Sequence, residues 1–167
     1  MSKIIWLTGL SGSGKTTIAN KLKEKFCNLG LLCYVLDGDV LRKGLNFDLD
    51  LSPDGRKENI RRAFEVANLM ADAGITVICS FISPYAETRN RFKNICRFPF
   101  YEVFVNCPIE ECIKRDPKGL YANFNAGIIK GMTGIDAPYE APEASDLIVN
   151  THIDNLDACV ESLFNLI

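Results

Sequence analysis

The sequence predicts a three-layer α/β fold, with a parallel five-stranded sheet flanked by helices. Two observations predict it. Short apolar, β-branched runs alternate with helical patterns along the 167 residues, the order that yields parallel strands joined by helices on both faces. The first run also feeds a glycine-rich loop that opens into a helix. That loop, Gly9-Leu10-Ser11-Gly12-Ser13-Gly14-Lys15-Thr16, fits G-x-x-x-x-G-K-[ST], a backbone cradle for phosphates.

The elements follow in order. Residues 3–8 read as a short buried strand. After the loop, Ile18, Leu22, Phe26 and Leu29 recur at helical spacing. Residues 31–36 read as a second strand, ended by the turn Asp37-Gly38-Asp39. Residues 55–73 read as a long helix with Ile60, Phe64, Ala67 and Ala71 on one face, and Gly74 breaks it. The β-branched run 75–79 is a third strand. Residues 84–95 read as a helix with Pro84 in its first turn. Residues 100–105 give a fourth strand, 108–115 a short helix, 146–149 a fifth strand and 154–167 a closing helix. One domain spanning residues 1–167 is expected from this length.

Residues 117–142 resist the alternation. They are rich in glycine and proline, with only a weak helical pattern over 123–130. Long irregular segments in compact domains are often functional. The expectation is a lid that keeps water from a reacting phosphate, set against an ordinary surface excursion.

Composition narrows the partners. A net charge of −2 without a long basic tract argues against nucleic acid. No apolar run is long enough to span a membrane, and the first strand leaves no room for a signal peptide. Seven cysteines without a C-x-x-C pair, and the single histidine His152, argue against zinc. An odd number of scattered cysteines suits a reducing, cytoplasmic setting.

The residue types in and after the loop define its chemistry. Gly9, Gly12 and Gly14 let the backbone turn tightly, so that successive N–H groups form an anion nest. Ser11, Ser13 and Thr17 belong to the same stretch, which the positive end of the following helix dipole reinforces. Lys15 supplies a mobile charge for β- and γ-phosphates, and Thr16 a hydroxyl for Mg²⁺. ATP and Mg²⁺ are therefore the expected cofactors.

Asp39 ends the second strand, across from the expected γ-phosphate. A carboxylate there orients an acceptor hydroxyl, takes its proton or holds a metal-bound water, with Asp37 sharing the metal work; a plain polar turn is the alternative. Arg56, Asn59 and Arg62 share a helical face, and Arg42 follows the aspartate turn. They form either a clamp for an anionic substrate or a solvated charged face. Arg115 and Lys118 flank Asp116-Pro117 at the entry to the lid, placed to stack on a purine and to reach the phosphates.

These pieces together resemble the adenylyl-sulfate kinase family, of P-loop kinase fold, from Ile4 to about Asp146. Beyond the loop, the matching stretches are Leu36-Asp37-Gly38-Asp39, Gly44-Leu45-Asn46, Arg56-Lys57-Glu58-Asn59-Ile60-Arg61-Arg62 and Ser80-Phe81-Ile82-Ser83-Pro84-Tyr85. Further on come Arg115-Asp116-Pro117-Lys118-Gly119-Leu120-Tyr121 and the run from Thr133-Gly134-Ile135 to Pro142. The resemblance implies transfer of the ATP γ-phosphate to a nucleotide 3′-hydroxyl. It implies Asp39 as base or metal-water anchor. It also implies that Arg42, Arg56, Asn59 and the Ile82-Ser83 backbone hold the acceptor, that Arg115 faces the ATP adenine, and that Lys118 acts from the lid. A homodimer is implied as well.

The chain departs from that family on the acceptor side. Two phenylalanines that sandwich the acceptor adenine are replaced by Leu51 and Met132. Base stacking on an aromatic ring is worth roughly 1–3 kcal/mol. The lid reads Ala122-Asn123-Phe124-Asn125-Ala126-Gly127, without the usual cations. Two acceptors are therefore expected at similar weight. One is adenylyl sulfate, in sulfate assimilation. The other is cytidine diphosphoramidate, phosphorylated at its 3′-hydroxyl during bacterial capsule biosynthesis.

Overall fold

The computed structural model describes residues 1–167. Five strands form one sheet in the order β2-β3-β1-β4-β5. They are β1 (Ile4–Thr8), β2 (Cys33–Asp37), β3 (Thr76–Ser80), β4 (Phe100–Asn106) and β5 (Leu147–Asn150). Every pairing is parallel. The helices are α1 (Lys15–Asn28), α2 (Gly38–Lys43), α3 (Pro53–Asp72), α4 (Ala86–Ile95), α5 (Ile109–Arg115), α6 (Leu120–Asn125) and α7 (Leu156–Leu166).

The pleat of β1 divides the core. Ile5 and Leu7 face α1 and α7, packing with Leu22, Val105 and Leu163. Ile4 and Trp6 face α3, packing with Phe64, Phe81 and Phe92. All five β1 residues are buried, as expected of a central parallel strand covered on both faces. On the α3 side aromatic rings fill the layer: Phe64 stacks on Phe92 at 4.2 Å and Trp6 on Phe81 at 5.2 Å between centroids.

The structure corrects several boundaries. Asp37-Gly38-Asp39 is not a free turn but the start of α2, because the Asp37 side chain caps it by accepting from the Asp39 N–H at 2.9 Å. The long helix begins at Pro53, with Ser52 as its cap. Pro84 is not in the first turn of α4. That helix starts at Ala86, whose N–H goes to the Glu140 carboxylate at 2.6 Å, while the Pro84 carbonyl accepts from the Glu140 N–H at 2.8 Å. The second strand starts at Cys33, and Leu31 and Leu32 stay exposed.

Residues 117–142 also hold more order than expected. Their helix, α6, runs from Leu120 and not from 123. The Asp116 carboxylate accepts from the Tyr121 and Ala122 N–H groups and so fixes its start. Tyr121 is buried and its hydroxyl donates to the Ser11 carbonyl at 2.9 Å, tying the segment to the glycine loop.

Candidate active site

The glycine loop, the β2–α2 junction and the segment after β3 meet at the carboxyl ends of the strands, where parallel α/β sheets place ligands. They line a cleft of about 610 Å³. Ser11, Gly12, Gly14, Lys15, Thr16 and Thr17 form its floor. Gly9 and Ser13, in the same loop, do not line the cleft. A Cβ on Gly9 would come within 2.5 Å of the Val105 carbonyl oxygen, so the loop lies directly on β4. Gly12 has φ +78°, and a Cβ there would sit 2.9 Å from the Cys112 carbonyl oxygen. The loop is thus wedged between strand and α5 with room only for glycine.

Lys15 is buried, and its ammonium donates to the Gly9 carbonyl at 2.9 Å and to the Leu10 carbonyl at 2.6 Å. Burial, followed by the nearby Lys118 charge, lowers its pKa from 10.5 to about 8. An anionic ligand is the natural partner for such a cation. Thr16 Oγ1 donates to Asp37 Oδ2 at 2.8 Å and lies 3.2 Å from Ser80 Oγ. Asp39 is exposed at the cleft wall, and Lys118 donates to its carboxylate.

The other end of the cleft is cationic. Arg42 and Arg56 line it, and Asn59 sits beside them. Arg42 donates to the Leu49 carbonyl at 3.1 Å, and Arg56 to the Leu51 carbonyl at 2.8 Å. Arg56 also donates to Thr133 Oγ1 and the Gly131 carbonyl, which links α3 to the segment after α6. All these acceptors are neutral and neither guanidinium forms a salt bridge, while the Asp50 and Asp39 carboxylates lie close enough to Arg42 to act on its charge. Burial, then the charge of Arg56, lowers the pKa of Arg42. The third arginine of the helical face, Arg62, leaves the group: it pairs with Asp48 and Glu58 on the surface. Of the three, Arg56 and Asn59 line the cleft and Arg62 does not.

Leu51 lines the cleft, as do Ile82 and Ser83. Met132 does not. It is buried with Cys107, Cys112 and Tyr121 in a small cluster, so it is a packing residue in this arrangement. At the opposite end, Arg115 lines the cleft and donates to Thr151 Oγ1 at 3.1 Å and to the Thr151 carbonyl at 2.7 Å. Thr151 in turn donates to the Ser13 carbonyl at 2.7 Å.

Sequence reasoning missed Thr151, Asp154 and Leu156, which line this end. Their place just past the carboxyl end of β5 was the available signal. It also missed the support beneath Asn59. Asn46 is fully buried and its amide donates to Asn59 Oδ1 at 2.9 Å.

A family model described as Adenylylsulphate kinase matches residues 1–150. The chain belongs to the adenylylsulphate kinase family. It is 51% identical to the adenylyl-sulfate kinase of Clostridium acetobutylicum over 160 residues, 96% of this chain and 80% of that one. Among solved structures, it overlays on the APS kinase CysC of Mycobacterium tuberculosis in complex with AMPPNP and APS. That match has a TM-score of 0.94 and 43% identity, and covers 99% of this chain and 96% of the other. It also overlays on the hexameric APS kinase from Thiobacillus denitrificans with a TM-score of 0.75 and 26% identity, covering 99% of this chain and 28% of that one. The three-layer P-loop kinase fold expected from the sequence is the fold of this family. No helix is long and apolar enough to cross a membrane.

Proposed function

We propose that this chain is an adenylyl-sulfate kinase, transferring the γ-phosphate of ATP to the 3′-hydroxyl of adenylyl sulfate. The observation that carries the reading is one cleft with an anion nest in its middle, an end lined by Arg115 and Thr151, and an arginine pair without a salt-bridge partner at the other end. Adenylyl sulfate brings two anionic groups to such a pair, and guanidinium forks match both. The cytidine acceptor is not favoured. The family match and the relatives are adenylyl-sulfate kinases, and one of the two replaced positions, Met132, lies off the cleft wall.

In the reaction the acceptor 3′-oxygen forms a bond to the γ-phosphorus as the bond to the β–γ bridging oxygen breaks, releasing ADP. The hydroxyl proton passes to Asp39, whose carboxylate is exposed to the cleft. The glycine loop and Lys15 hold the β- and γ-phosphates, and Lys118 reaches the same charge from the lid. Transfer through a loose transition state needs positioning and charge more than covalent help. The oxygen set of Thr16, Asp37 and Ser80 suits Mg²⁺, which keeps few protein ligands and takes the rest from phosphates and water. When bound there it neutralises charge on the β- and γ-phosphates. The product places the protein in sulfate assimilation, and a cytoplasmic homodimer is the proposed working form.

The test is ADP release from ATP and Mg²⁺ with adenylyl sulfate and cytidine diphosphoramidate offered separately. Turnover dependent on adenylyl sulfate is expected. Turnover with the cytidine compound alone would overturn the reading.

A further inference from the structure

Arg89 lies on α4, outside the cleft lining, yet it is 2% exposed and fully engaged. Its Nε donates to Glu102 Oε1 on β4 at 2.7 Å. Its Nη1 donates to the Ser83 carbonyl at 2.6 Å, and its Nη2 to the Glu140 carbonyl at 2.6 Å. One planar guanidinium therefore joins the segment after β3, strand β4 and the segment around Glu140. Glu102 is nearly as buried, so the cation is compensated where it stands and has no charge to offer a substrate.

The two carbonyls it holds belong to parts of the active site. Ser83 lines the cleft and has φ +47°, a left-handed backbone that a non-glycine residue keeps only when its surroundings enforce it. Two contacts enforce it: Arg89 on the carbonyl, and Trp6 Nε1 donating to Ser83 Oγ at 2.9 Å. Glu140 closes the lid segment. Its N–H donates to the Pro84 carbonyl at 2.8 Å and its carboxylate accepts from the Ala86 N–H at 2.6 Å. Nearby, Thr8 Oγ1 donates to the Ile82 carbonyl at 2.7 Å and lies 3.1 Å from the Tyr139 hydroxyl, so the same two segments meet a second time.

We propose that Arg89, held by Glu102, is a positioning residue for the acceptor. It fixes the Ile82-Ser83 backbone and the far end of the lid in one register, so that both reach the acceptor nucleotide together. The proposal rests on reading the Ile82-Ser83 side of the cleft as the acceptor side. The glycine loop and the Arg115 end have no contact with this clamp, so ATP binding is expected to be insensitive to it.

The experiment compares Arg89→Lys, Arg89→Met and Glu102→Gln with the unaltered protein by steady-state kinetics and amide hydrogen exchange. Loss of the clamp in Arg89→Met is expected to raise KM for adenylyl sulfate about tenfold or more while KM for ATP moves less than about twofold. Arg89→Lys, which keeps the charge but not the fork, is expected to recover part of that loss. The Ala86 and Glu140 amides are expected to exchange faster together in Arg89→Met and in Glu102→Gln. Equal rises in both KM values, or unchanged acceptor KM with faster exchange, would overturn the proposal. Should Arg89→Met fail to fold, Arg89→Lys and Glu102→Gln carry the same comparison. If the unaltered protein does not turn over adenylyl sulfate, the functional reading fails by itself. The exchange of Ala86 and Glu140 then still decides whether Arg89 couples the two segments: independent exchange would sink the clamp.

Discussion

Lys118, between α5 and α6, donates to the carboxylate of Asp39 across the mouth of the cleft. The two residues are 79 positions apart, and both side chains are about half exposed. An exposed pair of this kind is worth about 0–1 kcal/mol, so it contributes little to folding. On the proposed function, its use is to bring the Lys118 cation to the site of phosphoryl transfer. Asp39→Asn is expected to lower kcat by about 10²–10⁴-fold, the range for a lost general base, with the melting temperature nearly unchanged. Stopped-flow or steady-state ADP release reads this directly. An Asp39→Asn enzyme with full kcat would remove that carboxylate from proton transfer.

The Asn46–Asn59 amide pair predicts an effect on the acceptor without contact to it. Asn46 Nδ2 reaches both Asn59 Oδ1 and the Asn59 carbonyl, which orients the amide and leaves the Asn59 NH₂ free to donate into the cleft. Asn46→Ala strands a buried acceptor and is expected to cost about 1–3 kcal/mol of stability. It is also expected to raise KM for adenylyl sulfate more than KM for ATP. Denaturant titration and a two-substrate kinetic analysis check the two halves separately.

Lys15 gives the protein a pH signature. Its pKa is about 8 in the fold against 10.5 ordinarily, with burial the larger cause. Between those values the unfolded chain binds more protons than the folded one, so this residue makes unfolding free energy rise with pH across that window. Below about pH 8 both states carry the proton and the slope vanishes. Denaturant titrations at about pH 7 and about pH 9.5 should show the rise in the unaltered protein and a smaller one in Lys15→Met. ATP should also bind with proton uptake at about pH 9, visible by calorimetry in buffers of different ionisation enthalpy. Absence of uptake would mean that the ammonium stays charged.

Two glycines with similar backbone angles separate strain from contact. Gly12 has φ +78° and Gly74 φ +85°. A Cβ at Gly74 meets nothing within 4 Å, whereas one at Gly12 meets the Cys112 backbone. Alanine at either position should cost about 1–2 kcal/mol through the left-handed backbone. Only Gly12→Ala should also lose ATP binding, because the added Cβ meets the Cys112 backbone and pushes the loop out of place. Equal ATP affinity in the two variants would mean that the loop tolerates the shift.

The central sheet, the loop and the long helix were legible in the sequence because each is a local pattern. β-branched runs bounded by turn residues specify strands, Ile60, Phe64, Ala67 and Ala71 repeat with the helical period, and the glycines and Lys15 sit at fixed spacing in one short segment. The start of α2 was not legible as a helix, since Asp-Gly-Asp has turn composition and only the Asp37 cap decides its state. The helical spacing of Arg56, Asn59 and Arg62 could not say which members face the cleft. That was settled by Asp48 and Glu58, which draw Arg62 away to the surface.

What the sequence by itself determined is the phosphate site and the parallel α/β architecture, since backbone freedom at glycine and hydrophobic periodicity are properties of short stretches. What only the tertiary structure decided is which distant groups meet. The burial of Met132 with Cys107 and Cys112, the Lys118–Asp39 contact, the Asn46 support of Asn59 and the Arg89 junction are all set by how the elements pack, not by any local pattern. Such contacts follow from packing between elements, and buried polar groups take whichever partners that packing supplies.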